Sequence, residues 1–190
     1  PLKQKKYILN RLQYMLSDDY HINPQLADKK TVVLAEILND IVVDSATKVP
    51  NTKAINQKSH GMCAAISIAR KLMSYEYKQK YVDTVLSELD DTDSIKIYDI
   101  TNLGSGQKIS VPKINVDFDT ALAKGYRIVD ASTTQWMNIA DMYGADKVAQ
   151  GVYTAFDPQH FSVFEDSHYR LPLADSKLKA FLHRLDIHSK

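Results

Sequence analysis

The sequence predicts an α+β fold: a helical N-terminal part, with a nucleophile-type cysteine at a helix N-terminus, packed on a small antiparallel β-sheet. Helix-spaced apolar residues fill three segments of the first half, near residues 2–17, 25–44 and 63–90. Short runs of alternating apolar residues follow, from residue 94 onward. Helices first and strands after favours helices segregated to one side of an antiparallel sheet.

The first helix rests on Leu2, Ile8, Leu9, Leu12, Met15 and Leu16, and "SDDYHINP" ends it. The second presents Leu26, Val32, Val33, Ile37, Leu38, Ile41 and Val42, with Pro24 where an N-terminal proline is tolerated. "DSATKVPNTKAINQKSHG" has no apolar period and reads as a loop delivering the chain to Cys63. Residues 63–90 read as helix with a break near Tyr75–Lys78. "SIKIYDI" and "KISVPKI" read as a hairpin around "NLGSGQ", with Pro112 at an edge or an end. "VDFDTALAKG" predicts a short helix closed by Gly125. "YRIVDA" and "KVAQGVYTAF" read as strands, and "TTQWMNIADMYG" between them as a helix ending at Gly144. "HFSVFED" with "SHYRLPLA" is the clearest hairpin signal, and "DSKLKAFLHRL" is a closing helix capped by Asp175 or Ser176.

Composition is that of a globular protein, with 44% apolar and 25% charged residues. The net charge of +1 argues against nucleic acid or an anionic membrane as a bulk electrostatic partner. No apolar run is long enough for an integral membrane segment. One cysteine excludes an intramolecular disulfide and any Cys-pair zinc site, and suits a reducing compartment. The opening "PLKQKKYILNRL" lacks a signal-peptide core and an initiator Met. The chain therefore reads as a piece of a longer protein, with any N-terminal targeting signal outside it. No feature specifies an oligomeric state.

The stretch "NQKSHGMCAAISIARK" carries that cysteine. A thiol becomes a nucleophile when a helix N-terminus or a neighbouring His⁺ lowers its pKa. Cys63 opens a helix after a loop, which is that electrostatic setting. Its backbone N–H could also stabilise a developing oxyanion, with the Gln57 amide as a second donor. Gly61 would let a substrate approach the backbone, and His60 and Met62 would border the cleft. A lone cysteine at a helix start is also, commonly, a buried small residue.

Gln57, Gly61 and Cys63, running directly into an Ala-rich helix, resemble the active-site segment of papain-like cysteine proteases. "GMCAAIS" is similar to the nucleophile segment of the YopT/AvrPphB effector proteases. The resemblance implies a base at the start of a downstream strand and an orienting carboxylate beyond the next. His160 opens "HFSVFED", and Asp175 follows "LPLA" fifteen residues later, so a hairpin would bring the two ends together. That layout is also similar to bacteriocin-processing peptidases. "QWMNIADMYG" resembles the helix and Tyr-Gly stretch between nucleophile and His in papain relatives. The family's Trp after the nucleophile is Ala64 here, and the Asn-Ser-Trp after the His is missing. A compact, divergent bacterial version is therefore implied rather than papain itself.

The expectation is a papain-like catalytic domain over 51–190, preceded by a helical extension over 1–50. It would act as a cysteine protease of effector or toxin type on a protein or peptide substrate, with a Cys63–His160–Asp175 triad and Gln57 at the oxyanion. Secretion by the producing bacterium into a host cytosol goes with that reading. No metal or organic cofactor is required. His60 would have to fold back over its own turn to serve as the base, and Asp166 belongs to the "EDSH" turn. "ELDDTD" lacks the Gly and distal Glu of a calcium loop and reads as a solvated loop. "GSGQK" lacks the spacing of a phosphate loop. Two alternatives stand beside the protease: a glutamine deamidase or transglutaminase-like enzyme with the same triad, and a non-catalytic interaction module with Cys63 buried.

Overall fold

The computed structural model describes residues 2–42, 63–92, 94–98, 108–112 and 116–133. Helix α1 spans Leu2–Leu16 and buries Ile8, Leu12 and Met15, spaced four and three apart on one face. A 3-10 helix over Pro24–Lys29 leads into α2, Lys30–Ile41. Asn23 starts it: its side-chain oxygen accepts the Gln25 N–H at 3.0 Å, and Pro24 follows at the first position, where no N–H is needed. The sequence reading ran these two helices together, because proline and the apolar spacing suit either form.

Helices α3 (Cys63–Leu72) and α4 (Lys78–Leu89) are parted by the turn at 73–77, as the apolar pattern predicts. Tyr81, Val82, Thr84, Val85, Leu86, Glu88 and Leu89 of α4 are all buried. An arc that wide marks the central helix, and α1, α3 and strand β1 pack on it. The segment after α1 is sewn to its C-terminus. Tyr20 Oη donates to the Leu86 carbonyl at 2.7 Å, Asn23 N–H to Leu89 O and Asp91 N–H to His21 O, both at 2.8 Å. Glu88 and Leu89 are thus buried helix, not part of the solvated loop expected of "ELDDTD".

Strands β1 (Ser94–Tyr98) and β2 (Lys108–Pro112) pair antiparallel, with Ile97 opposite Ile109 and Ser94 opposite Pro112. Pro112 ends its strand, as a residue without a ladder donor does. Helix α5 (Phe118–Ala123) is capped by Asp117, whose carboxylate accepts the Thr120 N–H at 3.1 Å. It closes at Gly125, which takes φ 80°, a conformation that costs other residues a Cβ clash.

The expected papain-like α+β fold is corrected here. The described residues form a largely helical assembly, and the two strands among them pair only with each other. No sheet backs the α3 helix in this part of the chain. One expected strand, "YRIVDA", is helical from 128 to 133, the last described position. Ile128, Val129, Ala131, Ser132 and Thr133 are all buried, and a short apolar run enclosed on every side has no period to tell strand from helix. The strand of "KVAQGVYTAF" and the "HFSVFED/SHYRLPLA" hairpin lie outside the described residues. Among the described residues no helix is long and apolar enough to cross a membrane.

Candidate functional site

Cys63 is the first residue of α3. A helix leaves its first four N–H groups unbonded and carries a partial positive charge there. The first turn of α3 holds no acidic residue, so no side chain in it cancels that charge. Arg70 and Lys71 occupy the last turn, where cations complement the dipole. The helix is anchored by Ile66, Ala69 and Leu72, which are buried, and α3 packs on α4. The nucleophile position expected from the sequence therefore begins a helix held by the core. Gln57, His60, Gly61, Met62, His160 and Asp175 lie outside the described residues.

Two polar features that the sequence reading missed stand inside the described part. The first is a clasp around Asp40, whose side chain has no exposed surface. Arg127 Nη2 donates to Asp40 Oδ1 at 2.9 Å, and Tyr81 Oη donates to Oδ2 at 2.7 Å. Glu36, one turn earlier, accepts the Val129 N–H at 3.1 Å and lies 3.7 Å from the Arg127 guanidinium. Asp130 lies 3.9 Å from it on the other side. Burial pushes the carboxyls of Glu36 and Asp40 above their ordinary values, outweighing the pull of Arg127 and their hydrogen bonds. Burial likewise holds the Tyr81 phenol well above its ordinary value, with the Asp40 charge adding to it. Both Asp40 oxygens are thus engaged by donors. The clasp joins α2, α4 and the segment after α5.

The second is an open groove of about 320 Å³ between the end of α1 and the end of α4, lined by Arg11, Tyr14, Tyr20, His21, Asp90 and Asp91 among others. Its aromatic wall is Tyr14 edge-on to Tyr20, with ring centroids 5.4 Å apart, and Arg11 over the Tyr14 ring at 5.3 Å. Arg11 Nε is paired with Asp83 at 2.7 Å. Tyr20 cannot act as a base there, because burial raises its pKa far beyond the ordinary phenol value and its hydroxyl is donated to Leu86. Among the described residues no three His, Cys, Asp or Glu side chains gather to hold a metal ion.

One sequence signal did point to the clasp. Asp40 falls on the buried stripe of α2 with Val33, Ile37 and Ile41, and a carboxylate in an apolar stripe requires a partner. No family model, curated protein or solved structure matches the chain.

Proposed function

We infer that the chain is a thiol hydrolase, a cysteine protease acting on a protein substrate, with Cys63 as its nucleophile. The observation that carries this reading is the position of Cys63 as the first residue of a ten-residue helix with no acid in its first turn. The order Gln57, Cys63, His160, Asp175 along the chain supports it. A papain-like sheet is not needed for it, since Cys-His-carboxylate chemistry recurs on unrelated folds and is defined by roles.

In that role His160 takes the Cys63 proton and the thiolate attacks the scissile carbonyl carbon. The oxyanion accepts hydrogen bonds from the Cys63 N–H and the Gln57 amide. Collapse of the tetrahedral intermediate breaks the C–N bond, and the imidazolium protonates the leaving amine. Water, deprotonated by His160, then hydrolyses the thioester and restores the thiol. Asp175 holds the imidazole in the required tautomer. The thiol must stay reduced, which suits work in a host cytosol after secretion.

Alkylation rates test the reading. Cys63 is expected to react with iodoacetamide at about pH 6, where an unperturbed thiol is almost wholly protonated, and His160→Ala is expected to slow it by at least about tenfold. A thiol inert to iodoacetamide and to epoxysuccinyl electrophiles in the folded chain would sink the enzyme. Mass spectrometry of candidate substrates should show chain cleavage; a gain of a single mass unit without cleavage would mark a deamidase instead.

A further inference from the structure

Helix α1 has a second apolar line that the core does not use. Leu2, Leu9 and Leu16 recur every seventh residue and are 80%, 56% and 50% exposed. A repeat of seven drifts only about 20° per heptad, so the three form one outward stripe about 21 Å long. Lys5 and Lys6, three and four residues after Leu2, lie on either side of it and are exposed. Lys3 adds a further cation, and α1 contains no acidic residue.

Gln4 Nε2 donates to the Tyr75 carbonyl at 2.6 Å, which joins this end of α1 to the α3–α4 turn. There Lys78 lies over the Tyr75 ring at 5.6 Å, and Lys71 over the Tyr77 ring at 5.3 Å. Tyr75 itself is 47% exposed. Desolvation pulls the Lys78 ammonium below its ordinary pKa, and the charge of Lys5 adds to it. Among the described residues no ion pair engages Lys3, Lys5, Lys6, Lys71 or Lys78.

We propose that this corner of α1, the outward leucines with Lys5 and Lys6 on either side, docks the chain on an anionic lipid bilayer surface. Protruding leucines flanked by lysines match a bilayer interface: the leucines enter the acyl boundary and the lysines reach the headgroups. The other occupants fit less well. A partner helix needs two apolar lines, but the second line of this heptad is Lys5 and the buried Leu12. A nucleic acid would use the lysines and leave the leucines in water. A second copy packed α1 against α1 would meet a helix with no acid to answer its lysines.

The full chain should be sedimented with vesicles of phosphatidylcholine alone and of phosphatidylcholine mixed with phosphatidylserine. Binding to the mixed vesicles is expected to exceed that to the neutral ones by about tenfold or more, and to fall as salt is added. Lys5→Glu with Lys6→Glu should weaken it by about fivefold or more per lysine. Leu9→Gln, with an unchanged thermal melt, should weaken it by about threefold at low salt. Equal binding to both vesicles, or binding to neither, would overturn the proposal. So would a Leu9→Gln chain that binds as tightly as wild type. A DNA duplex bound more tightly than the mixed vesicles, with Leu9→Gln neutral, would assign the corner to a polyanion and overturn it too.

Discussion

Asp40 carries a carboxylate with no exposed surface, and two donors from distant parts of the chain converge on it. Removing it takes the acceptor from the fully buried Tyr81 hydroxyl and leaves Arg127 with only the longer contacts to Glu36 and Asp130. Asp40→Ala is therefore expected to lower unfolding free energy by about 2–4 kcal/mol in urea titration, somewhat less than a wholly buried pair because Arg127 keeps some solvent contact. The clasp also sets a pH dependence. Glu36 and Asp40 have folded-state values raised above their unfolded ones by burial. Between those values the native chain holds more protons than the unfolded chain. The stability these two groups contribute is whole below the unfolded values and is lost as pH rises through the folded ones. The urea midpoint should therefore rise on acidification from neutral toward the carboxylate range, and Asp40→Asn should flatten that slope. Asp117 acts in the opposite sense, since its bonds to Thr120 hold it below the usual range, but it is exposed and its effect is screened.

At the scale of elements, local chemistry sets the ends of helices more clearly than the apolar pattern does. Asn23 and Asp117 cap by side-chain oxygens, and Gly125 closes α5 in a left-handed conformation. Gly125→Ala should cost about 1–2 kcal/mol, while Gly125→Asn should cost less, both read from thermal unfolding. These signals stand in the sequence because they act within four residues. The segment 128–133 is the contrary case. Its short apolar run satisfied the pattern of a strand, and what makes it a buried helix is its enclosure, with Arg127 and Val129 held by Glu36 and Asp40 of α2. Those partners are some ninety positions earlier, so no local window could show them.

Across the whole molecule, α4 organises the described core, with α1 on one side of it and the α2 clasp reaching Tyr81. Met15 has no exposed surface. Met15→Ala should cost about 2–5 kcal/mol, with hydrogen-exchange protection lost in α1 and in the residues of α4 that face it. Charge is also decided at this scale. A net +1 spread evenly would attract no anion, but α1 carries Lys3, Lys5 and Lys6 and no acid, and its packing on the α3–α4 turn brings Lys5 within electrostatic reach of Lys78.

By itself the sequence determined the helices α1 to α4, the β1–β2 hairpin, the stop at Gly125 and the position of Cys63 at a helix start. Each rests on periodicity or on a cap within a few residues, and both are local. Tertiary structure alone decided that 128–133 is helix rather than strand, that Asp40 is clasped, and that the described part is a helical assembly rather than a sheet with helices against it. Those outcomes depend on which residues meet across long stretches of chain, and burial, not local propensity, settles them.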